Sequence, residues 1–137
     1  MPLVLNKEGQ MENLKLILSN NLFCKLFIND FEPNYTNVAS SFEEVKKENY
    51  NPIELYPNKW SFSFTLDDDP IATYPESTFK FTGIKFDIYG YYIVDEKGVL
   101  RWSERFSDGP YSVYRIGDIL TLKLNYELVV YNGGLVS

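Results

Sequence analysis

The stretch Ile88-Tyr89-Gly90-Tyr91-Tyr92-Ile93-Val94-Asp95-Glu96-Lys97-Gly98-Val99-Leu100-Arg101-Trp102-Ser103-Glu104-Arg105-Phe106 decides the fold. Its first seven residues are nearly all apolar, the pattern of a strand covered on both faces. Asp95 to Gly98 supplies a turn, because glycine takes the positive φ that hairpin loops need. Val99 to Phe106 then returns as a second strand. A hairpin at this place predicts an antiparallel sheet.

The flanking segments carry the same period of two. Leu22, Cys24, Leu26 and Ile28 alternate with Phe23, Lys25, Phe27 and Asn29, giving one apolar and one mixed face. Trp60, Phe62, Phe64 and Leu66 alternate with Ser61, Ser63, Thr65 and Asp67, which predicts a strand with one buried and one wet face. Phe79 and Phe81 alternate with Lys80 and Thr82. The longest alternation runs through Leu120, Leu122, Leu124, Tyr126 and Leu128. Only the N-terminal region has helical spacing. Asn6 is placed to cap, Lys7 to Ser19 carries Met11, Leu14, Ile17 and Leu18, and Ser19-Asn20-Asn21 reads as a stop. Between Asp30 and Leu55 the reading is a turn at Pro33-Asn34, a short helix over Ser40 to Lys47 and a break at Asn51-Pro52.

Six to eight short strands after one helix predict an all-β fold, an antiparallel β-sandwich or jelly roll with a short N-terminal helix and arm. The expected division is an arm and helix over residues 1–21 and a β-sandwich domain over residues 22–137. At 137 residues the chain is long enough to bury roughly two-thirds of its unfolded surface without metal or disulfide.

Composition narrows the chemistry. There is no histidine, which removes Ser-His-Asp and Cys-His nucleophile systems and His-ligated metals. The single cysteine, Cys24, cannot form an intrachain disulfide, and on the apolar phase of its strand it reads as core. A net charge of −6 is the wrong sign for a nucleic-acid partner. The run Ile88 to Val94 is less than half a membrane span, and Leu3-Val4-Leu5 is too short for a signal-peptide core, so neither a membrane partner nor a targeting segment is expected.

Three further features could carry chemistry. Asp67-Asp68-Asp69-Pro70 could bind calcium, but the spaced ligands of a calcium loop are missing, and a solvated turn is the simpler reading. Glu104 shares the phase of Leu100, Trp102 and Phe106. It could be a general acid paired with a second carboxylate, or it could be held by Arg101, Arg105 or Arg115, or by backbone N–H groups, or turned outward by a bulge. Tyr89, Tyr91, Tyr92, Trp102 and Tyr111 could stack on sugar rings, as in a carbohydrate-binding module, or could fill sheet faces and subunit contacts. The isolated glycines make no phosphate loop. The expectation is a protein without catalytic residues, cofactor or metal.

The hairpin motif also resembles a known group. Tyr89-Gly90-Tyr91-Tyr92-Ile93-Val94, followed by Leu100-Arg101-Trp102-Ser103-Glu104-Arg105-Phe106-Ser107-Asp108-Gly109-Pro110, resembles small virion proteins of tailed bacteriophages. There a YGYYV strand precedes LLWAERFSDGP, a gapped GD and a final alternating strand; Gly117-Asp118 and Ile119 to Leu128 match that ending. Leu26-Phe27-Ile28-Asn29 is similar to the group's LKLFxN strand. Phe42-Glu43-Glu44, Tyr50-Asn51-Pro52 and Trp60 fall where the group has an acidic-aromatic turn, GYxP and a tryptophan. The similarity spans residues 22–128; Arg101 and Ser103 depart from the usual Leu and Ala. The resemblance implies a virion structural protein: a capsid decoration (cement) protein, or alternatively a minor tail or fibre-adaptor protein. For a cement protein, made in the host cytoplasm, the expected place is the outer surface of the phage head. The expected partners are the major capsid protein and copies of itself, as a homotrimer on local three-fold positions. The candidate interaction residues are Leu3, Val4 and Leu5 in the arm Met1 to Leu5, with Tyr89, Tyr91, Trp102, Glu104, Arg105 and Tyr111.

Overall fold

A computed structural model describes residues 3–129. It is the expected all-β fold with one short N-terminal helix, consistent with a sandwich. Among the described residues, eleven strands pair antiparallel in four sheets. They group into two compact units.

One unit holds residues 3–20, 56–76 and 123–129 of the described chain. Helix α1 (Lys7–Ile17) packs on β4 (Pro70–Thr73), the middle strand of a sheet ordered β11 (Asn125–Glu127), β4, β3 (Ser61–Phe64). Met11, Leu14 and Leu18 form the buried stripe of the helix. Asn6 occupies the N-cap, but its side chain makes no capping bond. The stop is also made differently from the expected asparagine turn. The Leu18 N–H still reaches the Leu14 carbonyl, and the Ser19 hydroxyl donates to the Leu16 carbonyl at 2.7 Å, satisfying groups that a helix end leaves open.

The expected buried face of β3 is buried only at Trp60, whose ring meets Tyr74 edge-on at 4.9 Å. Phe64 is 37% exposed and Leu66 fully so. The reason is position: β3 is the last strand in its sheet, and its outer aromatics are met by helix lysines rather than by core. The Lys7 ammonium stands 4.3 Å above the Phe64 ring and Lys15 5.8 Å above Phe62.

The other unit, residues 21–55 and 77–122, holds a four-stranded sheet ordered β2 (Ile53–Leu55), β1 (Leu22–Phe27), β7 (Gly90–Asp95), β8 (Leu100–Arg105). Two further pairs accompany it: β5 (Ser77–Lys80) with β10 (Ile119–Leu122), and β6 (Phe86–Ile88) with β9 (Tyr111–Val113). In β1 the phase Leu22, Cys24, Leu26 is fully buried, and β7 is buried on both faces, as the sequence predicts. Residues 40–47 do not form the expected helix; short 3₁₀ turns, Ala39–Ser41 and Lys47–Asn49, stand at its two ends, and Glu44 instead bridges to Phe27 as a strand partner.

The long C-terminal alternation divides in two. β10 pairs with β5, β11 pairs with β4, and Lys123-Leu124 joins them. The inward phase persists throughout, with Leu124 buried and odd-numbered residues exposed. The break lies where Tyr74-Pro75-Glu76 separates β4 from β5. Proline has no N–H to give to a ladder.

The central hairpin is closed by Asp95. Its Oδ1 accepts the Lys97 and Val99 N–H groups at 2.9 and 3.0 Å, and Gly98 takes φ +81°. The register slips between Ile93 and Val94: Ile93 faces Trp102 and Val94 faces Leu100, so Arg101 is an extra residue in a β-bulge. The bulge corrects the expected phase. Leu100 joins the face of Val94 and Tyr92, while Trp102 and Glu104 stay on the face of Ile93 and Tyr91.

Gly90 admits no side chain. A Cβ there would lie 2.2 Å from the Glu104 carbonyl oxygen and 2.7 Å from the Phe27 ring. Gly90→Ala is expected to destabilise the protein by about 3 kcal/mol or more through overpacking. A denaturant titration placing it within 1 kcal/mol of wild type would contradict this packing. The Val99 and Lys97 N–H groups and Arg101 hold the Asp95 carboxyl below its ordinary value of 3.8. A lowered folded-state value means the contribution is complete above the ordinary value and disappears as pH falls through the lowered one. The stability gap between wild type and Asp95→Ala should therefore be constant from neutral pH to about 5 and close at more acid pH. A gap unchanged down to pH 2, measured by urea unfolding, is the contrary outcome.

Candidate functional site

The residues singled out in the hairpin meet on β7 and β8. Glu104 stands directly across from Tyr91, whose hydroxyl donates to Glu104 Oε1 at 2.9 Å. Trp102 lies on the same face of the hairpin, across from Ile93. The partner of Glu104 is thus a cross-strand tyrosine, not one of the expected arginines, and Glu104 is exposed rather than on a core face. Tyr91 is only 5% exposed; burial, with the Glu104 bond, pushes its phenol well above the ordinary value.

Arg105 is a clamp. Its guanidinium donates to the Phe31 carbonyl at 2.9 Å, pairs with Asp30 at 2.7 Å, reaches Glu32 at 3.8 Å and lies 5.2 Å from the Tyr89 ring centre. One planar group therefore fixes the backbone of residues 30–32 against the hairpin. Behind it Phe31, Phe27 and Phe42 pack edge to face at 5.0–5.5 Å, and Phe42 stacks on Tyr92 at 4.6 Å. Tyr91 and Tyr92 are therefore packing residues. The row of exposed tyrosines that a sugar platform would need does not form.

The fixed segment continues into the turn Asn34 to Asn37. The Asn34 side-chain oxygen accepts from the Thr36 N–H and hydroxyl, and the Asn37 side-chain oxygen accepts from the Asn34 N–H. Between this turn and β8 lies a pocket of about 330 Å³, lined by Tyr35, Asn34 and Asn37 on one side and Arg101, Trp102 and Ser103 on the other. Tyr35 is 99% exposed. Sequence reasoning marked Pro33-Asn34 as a turn and Trp102 as a contact residue, but nothing in the local pattern joined them. The signal was available in part, as an aromatic at the tip of a polar turn.

The other candidates lie elsewhere. Tyr111 is on β9, and its hydroxyl donates to the Ile119 carbonyl. Leu3 and Val4 are exposed and Leu5 is half-buried, its carbonyl accepting from Gln10 at 2.8 Å; Met1, the start of the expected arm, is outside the described residues. Cys24 is buried, and burial pushes its thiol up, away from a nucleophilic thiolate. Asp67-Asp68-Asp69 forms the turn between β3 and β4, with Asp68 at φ 63° and paired to Lys7 at 3.0 Å. No cluster of three or more metal-ligating side chains occurs among the described residues. No described helix is long and apolar enough to cross a membrane.

No protein-family model matches the chain, and no curated protein and no solved structure matches it.

Lysine cannot reproduce the forked contacts of Arg105. Arg105→Lys is expected to raise amide exchange in residues 30–37 at least ten-fold while leaving β1 and β7 protected. Unchanged exchange in that loop would show that Arg105 is not its anchor.

Proposed function

We propose that this chain is a non-enzymatic structural protein of a tailed-bacteriophage particle, a decoration protein that stabilises the head by binding assembled capsid protein. The observation that carries the reading is the use made of the residues of the resemblance. Arg105 is spent on residues 30–32 and Glu104 on Tyr91. The motif thus builds a rigid framework, and reactive groups are not what it supplies.

Surface composition supports the same reading. Tyr114, Ile116 and Ile119, close together in the chain around the turn before β10, are all exposed, as are Leu3, Val4 and Leu16 in the other unit. Large apolar side chains in such number fit contacts with other protein chains. A partner that binds only the assembled shell stabilises it by mass action. A trimer suits the three-fold positions of a head lattice, and the acidic charge suits the outside of a DNA-filled shell.

Quantitative mass spectrometry of purified virions is expected to count this chain in hundreds of copies per particle. A dozen or fewer would overturn decoration of the head and support the minor tail or fibre-adaptor reading.

A further inference from the structure

We infer that the pocket between the Asn34–Asn37 turn and β8 is a binding site for a neutral hexopyranose sugar. The pocket shares only Trp102 with the aromatics first considered for sugar stacking, and the inference stands whether or not the chain decorates a phage head. At about 330 Å³ the pocket is at the lower end of the roughly 300–1,000 Å³ range of small-ligand sites.

Its lining matches the two-sided chemistry of a sugar. A pyranose has an apolar C–H face and a rim of hydroxyl oxygens. Tyr35 and Trp102 supply aromatic surface for the first. Tyr35 is free to lie against a ring because none of its surface is covered by protein. For the second, the pocket is rich in donors. The side-chain oxygens of Asn34 and Asn37 are held by the turn itself, which leaves their NH₂ groups as the unused ends. Arg101 adds a guanidinium whose tie to Asp95 is long, at 3.5 Å, and Ser103 adds a hydroxyl.

The site is also built rather than incidental. Arg101 lines it as the extra residue of the β-bulge, the kind of irregularity that re-aims a side chain. The facing turn is fixed upstream by the Arg105 clamp, so the two walls are held in place before any ligand arrives. Trp102 contributes aromatic surface to the same wall.

The test is an amide chemical-shift titration of the full chain with the methyl glycosides of glucose, galactose, mannose and N-acetylglucosamine. At least one should shift the signals of residues 33–37 and 100–103 and saturate. Tyr35→Ala should weaken that sugar's binding at least ten-fold, with the rest of the spectrum intact because Tyr35 is fully exposed. Tyr114→Ala, equally a loss of an exposed tyrosine but outside the pocket, should bind as wild type. No saturable shift with any of the four sugars, or binding unaffected by Tyr35→Ala, would overturn the site. The copy number in virions is independent of this outcome, so the two readings fail separately.

Discussion

The close approach of Phe27 to Gly90 is the constraint on which the larger unit depends. Phe27 is fully buried, directly across from Gly90 in the β1–β7 ladder, and its ring fills the space where any other residue would carry a Cβ. That ring is the hub of the aromatic group. Phe31 and Phe42 meet it edge-on, and Phe42 passes the contact on to Tyr92. The backbone of the same residue closes the sheet: its carbonyl accepts the Tyr89 N–H at 2.9 Å, and it bridges to Glu44. A single buried phenylalanine therefore ties together β1, β7 and the irregular segment between Phe31 and Val45. That segment has little regular structure of its own, and its position comes from what it packs against.

The β-bulge at Arg101 solves a problem that a regular hairpin would leave open. With unbroken alternation, Leu100 would share a face with Trp102 and Glu104, and the Phe42–Tyr92 stack would lose apolar cover at that end. Inserting one residue moves Leu100 to the aromatic cluster and leaves Trp102 and Glu104 beside Tyr91. A carboxylate facing a buried phenol is tolerable here because Glu104 itself remains open to water while Tyr91 finds its acceptor.

Much of this was legible in the residues. Period two identified β1, the hairpin and the inward phase of the run Leu120 to Leu128, because burial on a pleated sheet leaves its mark on every second position. Three things were not legible, each for a physical reason. Alternation names a face but not a partner, so the division of the final run at Lys123-Leu124 comes from Pro75, between the two strands with which it pairs. Edge position does not alter composition, so Phe62, Phe64 and Leu66 resembled a buried face although lysines of α1, not core, cover the two phenylalanines. The role of Arg105 was hidden by distance: its contacts at residues 30–32 lie more than seventy positions away in the chain. Sequence proximity offered Arg105 as one possible partner of Glu104, and long-range geometry gave it to residues 30–32 instead.

The same long-range geometry explains where an aromatic-rich chain keeps its aromatics. An excess of tyrosine and phenylalanine suggests binding surface, yet most of the hairpin's share is consumed in packing: Tyr91 on Glu104, Tyr92 on Phe42, Tyr89 under Arg105. The most exposed aromatics lie on loops, Tyr35 on the Asn34–Asn37 turn and Tyr114 beside the turn before β10. Rigid strands with mobile-surface chemistry displaced to their connections are the usual division of labour in β proteins. Here the Arg105 clamp adds a second condition, since it ties the start of one of those connections, residues 30–32, to the hairpin. A loop held in that way loses little conformational freedom when something binds to it, which lets a shallow polar surface select a partner that a flexible loop of the same composition would hold only weakly.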